Sequence, residues 1–262
     1  MPINSRGISI ERDERVAYLI LDRPPANAYT LDLLASLHEA VVTLEHDDSV
    51  RVVVVKSGSE KFFCAGADIA VFSENSTDEN QHMVVQAKVT SAAIESSSKL
   101  YIAAIAGHAL GGGLELAMAC DLRVAKEGSY ALGLPEIKLG LIPGNGGTQR
   151  FLRLVGYATA MQYLCAGDTF SVEQAHTWGL VNQLFPKSEF ERLCKAFARK
   201  YTELPPLALA ATKRVLQGST GLPFAQGLAL EKRECDALYD TADAKEGFHA
   251  FIEKRAPIFQ GR

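Results

Sequence analysis

The chain has 262 residues, enough for one large domain or two small ones, and its 47% hydrophobic and 22% charged content is that of an ordinary globular protein. A formal net charge of -4 offers no basic face to nucleic acid, and no apolar run reaches the ~18 residues needed to span a membrane. Five cysteines (Cys64, Cys120, Cys165, Cys194, Cys235) form no CxxC pair and are odd in number, which implies a reducing compartment with most thiols buried.

Met1-Pro2-Ile3-Asn4-Ser5-Arg6 carries no secretory core, so the expected location is cytoplasmic, with an organelle-matrix mature form left open. Residues 7–11 and 15–22 read as a hairpin turning at Asp13-Glu14. Arg23-Pro24-Pro25-Ala26-Asn27 reads as a loop, because two prolines remove ladder donors. Thr30 is placed to cap a helix over 31–46, with Leu33, Leu34, Leu37, Val41 and Leu44 as its apolar stripe. Val52-Val53-Val54-Val55 has no polar alternation, which predicts a parallel strand covered on both faces. The polar stretch 73–81 reads as a mobile surface loop, and its sequon Asn75-Ser76-Thr77 is expected to be idle. A helix over 82–98, a strand over 101–105, a glycine turn, a short helix over 112–120 and a strand over 122–125 follow, the rhythm of α/β crossovers. Beyond residue 148 helical periodicity dominates, over 148–165, 171–178, 187–203, 205–217, 223–239 and 241–253, broken by one strand over 180–184. Six scattered histidines lack ligand spacing, so no metal site is expected.

Three segments carry candidate chemistry: Phe63-Cys64-Ala65-Gly66-Ala67-Asp68-Ile69; Gly107-His108-Ala109-Leu110-Gly111-Gly112-Gly113-Leu114-Glu115-Leu116; and Leu134-Pro135-Glu136 running on through Gly140 to Gly144-Asn145-Gly146-Gly147-Thr148. Small residues let backbone approach a ligand, and a turn feeding a helix leaves N–H groups unpaired at the positive end of the dipole. Gly112 therefore suits an oxyanion, and Glu115 and Glu136 could serve as acid and base beside it. Plainer readings stand beside these. The glycines could serve close helix–strand packing, and Ala65-Gly66 could be a simple strand-to-loop turn. Glu115 could complement a helix dipole, and Glu136 could be a surface turn residue.

In order and spacing, AGADI, GHALGGGLELAMACD and PEIKLGLIPGNGGTQR resemble the crotonase (enoyl-CoA hydratase/isomerase) family, its hydratase branch in particular, over nearly the whole chain. The resemblance implies an α/β fold, a repeated ββα spiral core over 1–195 with a helical trimerisation region over 196–262. It implies that the Ala65 and Gly112 N–H groups hold a thioester oxygen, that Glu115 deprotonates water, and that Glu136 protonates the α-carbon. Pro25, Ala26, Gly66, Ala67, Asp68, Ile69 and Gly111 are implied along the acyl-CoA path, and Leu134 stands where some hydratases carry Gln. Phe251 and Lys254 are implied to reach a neighbouring subunit's ligand in a homotrimer or a dimer of trimers, Lys254 near phosphate. A solvated helix lysine is the plainer reading of Lys254. Tyr29 and residues 73–81 are candidates for shaping the acyl-tail site. Coenzyme A enters only as part of the substrate, with no other cofactor. Open alternatives are a crotonase-fold enzyme acting on a dienoyl, branched or aromatic thioester, an isomerase, or a non-catalytic acyl-CoA-binding protein. A dinucleotide-binding dehydrogenase is excluded, since no GxGxxG opens a helix after an early strand.

Overall fold

Val52 to Val55 are all fully buried, and they divide between two apolar clusters: Val53 and Val55 face one, Val52 and Val54 the other. A strand with both faces covered must be central, and this one lies in the middle of a seven-stranded sheet. The computed structural model describes residues 4–5 and 7–262, so most of the segment read for a secretory core lies outside the described residues.

The chain opens with β1 (Asn4–Ser5), β2 (Ile8–Asp13) and β3 (Val16–Leu21), then α1 (Leu31–Glu45), β4 (Val52–Ser57), β5 (Phe62–Cys64), α2 (Ile69–Glu74) and α3 (Thr77–Ser96). Next come β6 (Leu100–Ile105), β7 (His108–Leu110), α4 (Gly112–Ala119), β8 (Leu122–Lys126), β9 (Ala131–Gly133) and a 3-10 turn, Pro135–Leu139. The remainder is α5 (Gly147–Val155), α6 (Tyr157–Ala166), β10 (Thr169–Ser171), α7 (Val172–Thr177), β11 (Gln183–Phe185), α8 (Phe190–Thr202), α9 (Pro206–Gly218), α10 (Phe224–Asp236) and α11 (Ala242–Glu253). The large sheet has the order β1-β2-β3-β4-β6-β8-β11, antiparallel up to β3 and parallel from there on. A smaller sheet, β10-β9-β7-β5, is parallel except for β10. Each turn of the chain thus lays one strand in the large sheet, one in the small sheet and then a helical segment: β4-β5-α3, β6-β7-α4, β8-β9-α5. This is the repeated ββα core expected from the motifs.

The small sheet escapes the sequence reading because its strands are three residues long, too short to establish a period. Residues 73–81 correct another expectation: they are helical except for the break at residues 75–76. Ser76 caps α3 and Glu79 returns the bond to the Ser76 N–H, so this polar segment is a capped helix start rather than a loop. Gly156 divides the helix expected over 148–165 into α5 and α6. The strand expected over 180–184 is confined to 183–185, since Leu180 and Val181 sink into the core. Residue 195 falls inside α8, whose Phe190, Cys194 and Ala198 cover one face of the large sheet.

A buried ion pair fixes α9: Lys213 Nζ lies 2.9 Å from Asp121 and also donates to the carbonyls of Ile94 and Lys99, while Asp121 accepts from the Tyr101 N–H. All five cysteines are free thiols, three of them buried. Among the described residues no helix is long and apolar enough to cross a membrane, and no cluster of metal-ligating side chains occurs.

Gly113 packs so tightly that a Cβ there would lie 2.1 Å from the Cys64 carbonyl oxygen, a backbone atom that cannot move aside. Gly113→Ala is expected to lower stability by on the order of 3 kcal/mol or more, seen as a lower melting temperature or insoluble protein. An alanine variant melting with the parent would show that the two turns are not in contact.

Candidate active site

The end of β5 and the end of β7 come together because neither turn carries a Cβ at the contact. Gly66 has φ +86, and a Cβ on it would lie 2.9 Å from both the Gly112 nitrogen and the Leu110 oxygen. Gly111, at φ 52 and ψ -129, turns the chain from β7 into α4 and donates its N–H to the Gly133 carbonyl. Tyr29 closes the site from the loop before α1: a Cβ on Gly112 would fall 1.8 Å from its hydroxyl oxygen.

The backbone bonds correct one assignment. The Ala65 N–H donates to the Ala26 carbonyl at 3.0 Å, so it is consumed by the fold and is not free for a ligand. Two residues on, Tyr29 donates to the Gly66 carbonyl and accepts from the Asp68 N–H, pairing Tyr29 with Ala67 as a parallel bridge. In such a bridge the middle residue's own N–H points to the opposite side, away from Tyr29. Among the described residues neither the Ala67 N–H nor the Gly112 N–H has an acceptor, and both residues line one cavity.

That cavity, about 390 Å³, also contains both glutamates. Glu115, on the first turn of α4, is 2% exposed. Its Oε1 accepts from the N–H groups of Asn145 (2.8 Å) and Gly147 (2.7 Å), the second at the start of α5. The carboxylate therefore complements the dipole of α5 rather than that of its own helix. Burial raises its pKa, and the two N–H bonds oppose that shift. Glu136 sits on the 3-10 turn with Oε2 buried and, among the described residues, without a partner. Burial, with a smaller contribution from the charge of Glu115, pushes its pKa up to about 7. A group poised there exchanges protons readily at neutral pH.

Of the other expected residues, Gly66, Ala67, Ile69 and Gly111 line the cavity with Ala65 and Gly112. Asp68 precedes α2 and pairs with Arg23 at 3.0 Å. Pro25 and Ala26 lie on the loop behind Ala65, outside the cavity wall, and Leu134 is buried in the main core. Phe251 (85% exposed) lies on α11 and Lys254 just beyond it, in the left-handed region at φ 55. Residues not singled out in the sequence complete the walls: Phe72, Met83, Val84, Ala87 and Ile142 supply apolar surface, and Asn145 a polar side chain. Met83 and Ala87 are buried on α3, spaced four apart as one helical face.

A family model described as enoyl-CoA hydratase/isomerase matches residues 11–262. The chain belongs to the enoyl-CoA hydratase/isomerase family. Within it the chain stands in the hydratase branch. It is 40% identical to a probable enoyl-CoA hydratase of Bacillus subtilis (strain 168), over 97% of this chain and 99% of that one. It is 38% identical to the 2,3-dehydroadipyl-CoA hydratase of Escherichia coli (strain K12), over 97% and 98%. An enoyl-CoA hydratase structure from Bacillus anthracis superposes with a TM-score of 0.94 at 35% identity, covering 98% of this chain and 100% of that chain. The fold of the enoyl-CoA hydratase/isomerase family is thus that of this chain over nearly its whole length.

The raised pKa of Glu136 has a thermodynamic consequence for this family member. Between the ordinary value of 4.5 and about 7, the folded protein keeps a proton that the unfolded chain has released. Stability conferred by the neutral carboxyl is therefore lost as pH rises through that window. Glu136→Gln should match the parent's unfolding free energy near about pH 4 and exceed it near about pH 8, by on the order of 1–2 kcal/mol after allowing for partial exposure, seen as a higher melting temperature at the higher pH. A difference that did not grow with pH would show that Glu136 titrates as an ordinary exposed carboxyl.

Proposed function

We propose that the protein adds water across the 2,3 double bond of a trans-2-enoyl-CoA thioester, giving the 3-hydroxyacyl-CoA. The observation that carries this reading is the convergence in one apolar cavity of two carboxyl groups with raised pKa and two backbone N–H groups without acceptors. The thioester oxygen is received by the Ala67 and Gly112 N–H groups, which stabilise the enolate charge as it develops. Glu115, one oxygen fixed by Asn145 and Gly147, takes a proton from water as the water oxygen bonds to the β-carbon. Glu136 delivers its proton to the α-carbon. The proton gained by Glu115 then returns to Glu136, directly or through solvent, so both groups end as they began. The apolar wall from α3 and Ile142 receives the acyl chain.

The nucleotide end of coenzyme A is assigned to the loop carrying Pro25 and Ala26, to Asp68, and to Phe251 and Lys254 of a neighbouring copy in a homotrimer or dimer of trimers. Support comes from the apolar surface left on the C-terminal helices, where Phe224, Phe248, Phe251 and Ile252 are all exposed in the single chain. If Lys254 meets a phosphate, Lys254→Ala should weaken the apparent affinity for the thioester at low salt, and the loss should shrink as salt rises. Unchanged affinity at low salt would remove Lys254 from the ligand.

The mechanism is tested by following the loss of enoyl-thioester absorbance with crotonyl-CoA. Glu115→Gln and Glu136→Gln should each slow hydration by at least ~10², with little change in substrate binding. The double variant should lose much less than the product of the single losses, because the two groups act as a unit. Hydration at the parent rate by Glu136→Gln would overturn the two-carboxylate mechanism. A silent Glu115→Gln alone would favour an isomerase-like proton shuttle through Glu136.

A further inference from the structure

Asn145 donates its backbone N–H to Glu115, and its side chain has separate surroundings. It is 5% exposed, lines the cavity that holds both glutamates, and leaves its Oδ1 buried with no partner among the described residues. Its Nδ2 donates to the Oγ of Ser91 at 2.9 Å, and Ser91 is fully buried on α3. The rest of the residue is clamped as well. Its N–H is held by Glu115, and its carbonyl accepts from Arg150, which in turn pairs with Glu95 at 2.7 Å. A buried amide held at every other atom and unpartnered at one is arranged to receive a donor from outside the chain. An amide oxygen accepts only, and a water or a hydroxyl would supply the donor hydrogen.

We propose that the Asn145 side chain, oriented by Ser91, is a water-positioning group of the reaction. Its amide oxygen accepts one hydrogen of the attacking water while Glu115 takes the other, and in the reverse direction it accepts from the 3-hydroxyl of the product. This rests on the hydratase reading given above. It adds a third contact that fixes which lone pair of the water faces the β-carbon. Two contacts leave the water free to rotate about the line joining its partners, and misorientation of a nucleophile costs rate rather than affinity.

The test separates this role from loss of structure and from failure of the hydratase reading. Asn145→Ala keeps the backbone N–H to Glu115 but removes the amide. With crotonyl-CoA, kcat for hydration should fall about 10- to 100-fold with KM little changed. Exchange of the α-hydrogens of butyryl-CoA with D2O should stay within about 2-fold of the parent, because it needs Glu136 and the backbone donors but no β-water. Ser91→Ala should give a smaller loss of the same kind. Asn145→Asp restores an acceptor oxygen but adds negative charge beside Glu115, so it should recover part of kcat while moving the acidic limb of the pH profile upward. Hydration by Asn145→Ala within about 2-fold of the parent would overturn the proposal, as would parallel loss of hydration and exchange. A parent enzyme that exchanges butyryl-CoA but does not hydrate crotonyl-CoA would instead reject the hydratase reading itself.

Discussion

No side chain fits between the turn that follows β5 and the turn that follows β7, and the whole site is built on that contact. A Cβ on Gly113 would strike the Cys64 carbonyl, and one on Gly66 would strike the Gly112 nitrogen. With backbone packed on backbone, the wall of the cavity there is made of peptide groups rather than side chains. Peptide N–H groups at strand ends are fixed dipoles, so they need no reorganisation to meet a developing charge. The small sheet matters because it delivers the ends of two parallel neighbouring strands, β5 and β7, to one point.

A buried ion pair outside the cavity shows what full pairing looks like, and the cavity groups differ from it. Lys213 is buried, yet it is paired with Asp121 and donates to two backbone carbonyls, while Asp121 accepts from the Tyr101 N–H and from Gln217. Glu115 is half-satisfied in the same manner, through two N–H groups at one oxygen. Glu136 keeps one oxygen without a partner. Two carboxyls in one apolar cavity are thus given different surroundings, and in the proposed mechanism this difference separates the proton acceptor from the proton donor. Unpartnered buried groups are costly, and a ligand in the cavity would supply the partner that Glu136 lacks among the described residues.

The C-terminal region shows the opposite imbalance. Its helices form as their apolar periodicity requires, but in one chain they leave Phe224, Phe248, Phe251 and Ile252 facing solvent. The proposed subunit contact would cover that surface. Arg51 ties residue 259 back to the core through the carbonyls of Thr202 and Phe259, so this segment is anchored within the single chain.

The helices with clear stripes, the valine strand and the glycine turn were legible because each is a local property: a period, an absence of polar alternation, an absence of Cβ. Glu115 and Glu136 were legible as residue types at given spacings. The short strands of the small sheet were not, since three residues carry no period, and residues 73–81 misled because a polar helix start and a polar loop share a composition until Ser76 and Glu79 are seen to bond. Asn145 gave no signal, because nothing local sets its side chain against Ser91, 54 residues away in sequence. The choice between Ala65 and Ala67 is the clearest case. The sequence offered a small-residue turn with several N–H groups, but Ala65 and Ala67 are two residues apart, so in a regular strand their N–H groups would point to the same side, and the break at Gly66 (φ +86) lies between them. Which of them remains open was decided only in three dimensions, where Ala26 takes the N–H of Ala65, and Tyr29, bonded to Gly66 and Asp68, turns that of Ala67 the other way.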